Sequence, residues 1–193
     1  MTTSPAVRLS TLLPSWWELL QGWAANGQLQ DAAVEALRLG TAPEALRQLN
    51  SRLAQGEHAD LPRVECLAAE AMGGAVGAYA TDRNTIYLNA DWLLSANQRS
   101  VQAVLTEELG HHLDALLNQT DTPGDEGAMF AQLLLEGELS AEQRDLMAAE
   151  NDWGVARVNG QEVVVEMANF IGTAGADVLT GTAEADRSEE HTS

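Results

Sequence analysis

Lysine is absent from this 193-residue chain, and all ten of its basic residues are arginines. They stand against 29 aspartates and glutamates, which leaves a formal charge of −19. A surface this poor in cations is unsuited to displacing the counterions of a nucleic acid, and the balance argues against such a partner. The single cysteine, Cys66, excludes an internal disulfide framework. Its apolar neighbours Val64 and Leu67 read it as a small buried residue. No apolar run approaches the ~20 residues of a membrane-spanning helix. The first residues also lack the charged-then-apolar pattern of a cleavable signal peptide. Hydrophobic residues still make up 45% of the chain, enough for a real core and too many for general disorder.

What is present falls into periodic segments. Pro14 to Trp23, Asp31 to Leu39 and Ala42 to Leu53 carry apolar residues at helical spacing, with Gly27, Gly40 and Gly56 between and after them. Trp16, Trp17 and Trp23 lie in the first of these, and such a stripe reads as a packed face. Ala75–Ala80 and Thr85–Asn89 read as two strands joined by a polar turn. Ser95 and Gln98 have the spacing of a capping box, and a helix follows to about Leu117. Further helices are expected over about Asp125–Leu135 and Ala141–Glu150, the latter with Ser140 and Gln143 as its box. Val155–Val158 and Gln161–Val165 flank Asn159-Gly160, a strong hairpin signal. The expected class is α+β.

The long helix holds Thr106-Glu107-Glu108-Leu109-Gly110-His111-His112-Leu113-Asp114. With histidine in place of Glu107 this stretch resembles the active-site helix of zincin-class metallopeptidases. The preceding Ile86-Tyr87-Leu88-Asn89 resembles the edge strand that borders the zincin substrate cleft. The following Gly124-Asp125-Glu126-Gly127 resembles the second helix that supplies a glutamate ligand in gluzincins. The resemblance spans about Gly73 to Leu135. It implies that Glu107, His111 and Glu126 hold zinc or another divalent transition metal, that Glu108 is the catalytic general base, and that the substrate is a peptide or protein.

Helix geometry is compatible with this, since Glu107 and His111 lie one turn apart. Asp114 shares the face of His111 and is expected to orient its second ring nitrogen. A helical wheel also offers a rival pair, Glu108 and His112, near the middle of the apolar face of Val101, Leu105 and Leu109. A plain hydrogen bond between those two is the structural alternative. Asp125 and Glu126 can also serve simply as first-turn acids that stabilise a helix dipole. Glu107 is the departure from the family pattern: a second carboxylate lowers Lewis acidity and suits harder ions.

Toward the C-terminus, Gly172, Gly175, Asp177 and Leu179 match the nonapeptide of calcium-binding β-rolls, and Gly181 and Asp186 continue it. This resembles the start of a repeats-in-toxin (RTX, hemolysin-type) array, and the whole arrangement resembles cyanobacterial RTX-type proteins. The resemblance implies calcium binding by Gly172, Gly175, Asp177, Gly181 and Asp186. It also implies secretion through a one-step exporter that reads a C-terminal signal. Arg187–Ser193, RSEEHTS, reads as the translation of a sequencing adapter. The expected organisation is a helical region over 1–60, a zincin-like α+β domain over 61–168, the first repeats over 169–186, and the adapter-like tail over 187–193.

Overall fold

The structure is a computed structural model, and residues 4–168 are described. The first helix, α1 (Pro5–Ala25), is capped by the Ser4 side chain, which accepts from the Val7 N–H. It starts nine residues before the expected segment and runs straight through Pro14. Pro14 sits on the exposed side of α1, whereas Leu9, Leu12, Trp16 and Leu20 form a continuous buried face. Burial of that face outweighs the hydrogen bond the proline removes. Helices α2 (Gln28–Ala36) and α3 (Glu44–Ala54) follow.

Strand β1 (Arg63–Leu67) was not among the expected elements. Its residues are exposed or half-buried, Cys66 included, so no alternation of apolar and polar residues marked it. Burial nonetheless pushes the Cys66 thiol pKa up. Strands β2 (Gly77–Ala80) and β3 (Thr85–Asn89) form the expected hairpin, turning at Asn84 with φ 46°. Then come α4 (Ala90–Ser95), α5 (Gln98–Leu117), α6 (Glu126–Glu136) and α7 (Ala141–Ala149). The expected Ser140–Gln143 box caps α7. The cap of α5 is Asn97, not Ser95, which ends α4 instead. Strands β4 (Trp153–Val158) and β5 (Gln161–Glu166) turn through Asn159 and Gly160 at φ 53° and 80°.

Among the described residues the fold is α+β, with seven α-helices and one mixed five-stranded sheet in the order β1-β3-β2-β5-β4. Only β1 and β3 run parallel; the other neighbours are antiparallel. β3 is therefore an interior strand, flanked on both sides, and not the free edge that a substrate strand would need. One core lies between the helices and a sheet face, and it includes Trp16 and Leu20 of α1, Leu46 of α3, Ile86 and Leu88 of β3, Leu105 of α5 and Phe130 of α6. The Trp16 indole donates to Thr106 Oγ1 at 3.1 Å, tying α1 to the middle of α5. A smaller cluster of Met72, Tyr87, Val158, Val163 and Val165 covers the other side of the sheet. Among the described residues, no helix is long and apolar enough to cross a membrane. The β-roll positions Gly172, Gly175, Asp177, Gly181 and Asp186 lie outside the described residues, as does the adapter-like tail.

α5 and α6 meet at two glycines. A Cβ on Gly110 would sit 2.7 Å from the Gly127 Cα, and one on Gly127 would sit 2.5 Å from the His111 ring. Neither neighbour has room to yield. Alanine at either position is expected to lower stability by roughly 1–3 kcal/mol, although alanine is the better helix former. Urea denaturation measures this directly, and an unchanged midpoint for both variants would contradict the close crossing.

Candidate metal centre

α5 carries five ionisable side chains within eight residues: Glu107, Glu108, His111, His112 and Asp114. His111 is 0% exposed and stands at the centre of a carboxylate cluster. Glu126 Oε1, from the first turn of α6, lies 2.9 Å from its Nδ1. Glu166 Oε2, from the end of β5, lies at the same distance from the same nitrogen, with Asp152 Oδ2 at 3.6 Å. One ring proton cannot serve two oxygens, so Glu126 takes the hydrogen bond and a Glu166 oxygen is left without a donor. On the other side of the ring, Nε2 has no hydrogen-bond partner and faces Asp125 Oδ1 at 4.0 Å.

The expected ligands are thus only partly brought together. One oxygen of Glu107, a nitrogen of His111 and one oxygen of Asp125 lie within 4.8 Å of one another. Glu126, expected as the third ligand, instead holds Nδ1, which is the orienting role expected of Asp114. Asp114 lies three residues further along α5 and reaches the loop beyond the helix. There its carboxylate accepts from the Thr122 N–H at 3.1 Å, the Thr122 hydroxyl at 2.6 Å and the Asn118 amide at 2.7 Å. Asp125 does cap α6, accepting from the Ala128 N–H at 2.6 Å, so its helix-terminus role and its place beside His111 coexist.

The rival pair does not form. Glu108 Oε1 accepts the Ala168 N–H at 3.2 Å, and His112 Nδ1 meets the Tyr79 hydroxyl at 3.0 Å. His112 packs edge-on to the Tyr79 ring, away from the carboxylates. Burial lowers its pKa to about 4, so it is neutral. Glu108 is 0% exposed, and its Oε2 has no partner. Two members escaped the sequence reading, Asp152 and Glu166. Their one signal was position: an acid on either side of a hairpin whose last expected strand carries Val163-Val164-Val165, of which Val163 and Val165 are buried.

The electrostatics are lopsided, because each ion pair that Asp125, Glu126, Asp152 and Glu166 make goes to His111. Burial pushes the Glu108 carboxyl up to about 8, Glu126 to about 7 and Asp152 to about 6. Burial, then the charges of Asp125 and Glu108, hold Glu107 well above the carboxylate range. For His111 burial opposes the charged form, but the carboxylates beside it, Glu126 and Glu166 foremost, outweigh it and hold its pKa well above 6.5. A buried set of carboxylates with unpartnered oxygens is costly unless protonated or bound to a cation. The donor set, oxygen-rich with one imidazole nitrogen, fits a divalent ion.

The chain matches no protein-family description, no curated protein and no solved structure.

Proton linkage gives a direct test. Glu108, Glu126 and Asp152 have folded-state pKa values above their unfolded ones. Their contribution is complete below the ordinary carboxylate range and is lost as pH rises through the folded values. His111 acts in the same direction above about 6.5, while His112 acts oppositely, withdrawing stability as pH falls from about 6.5 towards 4. These groups, with Glu107 acting the same way, outweigh His112, so in the presence of chelator the melting temperature is expected to fall from about pH 5 to about pH 8. A saturating divalent ion should flatten that slope. A melting temperature that climbs over this range in chelator would rule out the buried acidic cluster.

Proposed function

We propose that the chain belongs to an exported RTX-type calcium-binding protein, and that its described residues form a divalent-cation centre of the zincin-like peptidase kind. The observation that carries the cation centre is His111: Nδ1 is engaged by Glu126, and Nε2 is buried, unpartnered and turned towards Asp125. The hydrogen bond at one ring nitrogen fixes which of the two is free to ligate. Glu107, Nε2 of His111 and Asp125 would hold the ion. A bound divalent ion supplies Lewis acidity and an acidified water. Glu108, with its free Oε2 and its carboxyl near 8, is the residue suited to take a proton there. The RTX part of the reading, with extracellular location and one-step export, rests on Gly172, Gly175, Asp177, Gly181 and Asp186 in the sequence.

A second reading is favoured by the closure of the site. His111 and Glu108 are both 0% exposed, and Ala168 lies against Glu108. With His111 and Glu108 closed off and Glu107 only partly exposed, such a centre suits a binding or assembly module in which the cation is structural.

Transition-metal content of the whole protein, purified without chelator, tests the first proposal. One equivalent is expected, lost in His111→Ala and Asp125→Asn. Glu126→Gln should retain the ion with affinity reduced roughly 10–100-fold, as befits an orienting partner. Peptide hydrolysis abolished by Glu108→Gln would support the enzyme; metal without hydrolysis would support the structural module. No metal under any loading condition would overturn both.

A further inference from the structure

A second set of oxygens converges where the loop between α5 and α6 meets the terminal hairpin. One carboxylate oxygen each from Asp114, Asp121 and Glu126 lies within 4.8 Å of the other two. No nitrogen or sulfur belongs to this group, and oxygen-only donors of high negative charge suit a hard cation.

Proximity of acids alone would say little, but Glu126 adds an independent observation. Its side chain is 2% exposed, its Oε1 is engaged by His111, and its Oε2 is buried with no hydrogen-bond partner. A carboxylate oxygen buried without a donor carries a desolvation cost that a cation beside it would offset. The other two residues are already positioned. Thr122 and Asn118 hold Asp114 from one side. The indole N–H of Trp153 in β4 donates to Asp121 Oδ2 at 3.2 Å. Asp121 is exposed, and a depression lined by Asp114, Asn118, Asp121, Trp153 and Glu166 opens the Asp114 and Asp121 side of the group to solvent, with Glu126 buried behind it. A hydrated ion can therefore enter, and water can complete the six to eight oxygens that calcium takes.

We propose that Asp114, Asp121 and Glu126 form a calcium site distinct from the His111 centre. The ion draws the α5–α6 loop and the β4–β5 hairpin together, with Asp121 as the ligand from the exposed side and Trp153 as its tether. Because Glu126 belongs to this group and also holds His111 Nδ1, calcium here also steadies the carboxylate that orients His111.

Terbium replaces calcium at oxygen sites and is excited by a neighbouring indole, so Trp153 makes the site visible in the intact chain. Terbium titrated into the whole protein should give sensitised emission that calcium displaces. Trp153→Phe should remove most of that emission, whatever terbium binds elsewhere. Asp121→Asn, a change at an exposed position, should shift the titration midpoint at least about tenfold, through loss of one charged ligand. Its circular dichroism and chelator-treated melting should stay as in the unaltered protein. Asp125→Asn should leave the emission in place while abolishing any transition-metal equivalent, which separates this site from the His111 centre. The proposal is overturned if Trp153→Phe leaves the emission unchanged, or if Asp121→Asn leaves the midpoint unchanged. It is likewise overturned if Asp125→Asn removes the emission while Asp121→Asn does not.

Discussion

The contact between Gly110 and Gly127 is the constraint on which the acidic centre depends. It lets α5 and α6 cross with their backbones nearly touching, since a methyl group on either glycine would meet the other chain segment within 2.7 Å. Only at that separation can the first turn of α6 deliver Asp125 to one edge of the His111 ring and Glu126 to the other. A wider crossing would leave the same carboxylates in the same order along the chain but out of reach of the imidazole. The glycines thus convert a sequence motif into a three-dimensional donor set, at some cost in helix propensity.

Charge inside this cluster is held by geometry from three directions. α5 contributes Glu107, Glu108 and His111, α6 contributes Glu126 with its cap Asp125, and the terminal hairpin contributes Glu166 with Asp152 just before it. An apolar core of the same shape would be easier to stabilise, because paired buried charges seldom recover their desolvation. Here the imbalance is worse than in a simple pair, with one imidazole facing several acids. That imbalance is the physical reason to look for a cation, and it is stronger than any single residue match. It also explains why His112, adjacent in sequence, plays no part: it faces Tyr79 on another side of α5 and stays neutral.

Much of the scaffold was legible because its signals were local. The Asn159-Gly160 turn, the Ser140–Gln143 box and the Asn84 turn each specify backbone geometry within a few residues, and each appears as read. Where burial decides, local reading faltered. Pro14 looked like a helix start, but the apolar face on its far side carries α1 through it. β1 is nearly without pattern because it lies at the sheet edge with no fully buried residue. At the site, the motif on α5 named members of the acidic cluster, yet the placement of Asp114, Asp125 and Glu126 depended on the crossing with α6 and on the reach of the α5–α6 loop. Neither follows from periodicity. Glu166 and Asp152 arrive from about fifty residues away in sequence, through strand pairing that no local pattern encodes.

The terminal hairpin is bound to the rest of the sheet by little backbone pairing, since β5 meets β2 at the single pair Tyr79–Glu166. Apolar packing of Val158, Val163 and Val165 on Met72 and Tyr87 holds it, and the site adds polar ties. The Ala168 N–H donates to Glu108, the Ala168 carbonyl accepts the Val76 N–H, and Glu166 lies against His111. Trp153, paired across the hairpin with Glu166, adds its bond to Asp121 at the same end. Sheet and acidic centre are therefore coupled: a cation that settles the carboxylates also secures β5. Conversely, loss of β5 would uncover Glu108 and His111 to solvent. The residues that close the centre and the residues that could ligate within it belong to one network, so occupancy and closure are expected to rise and fall together.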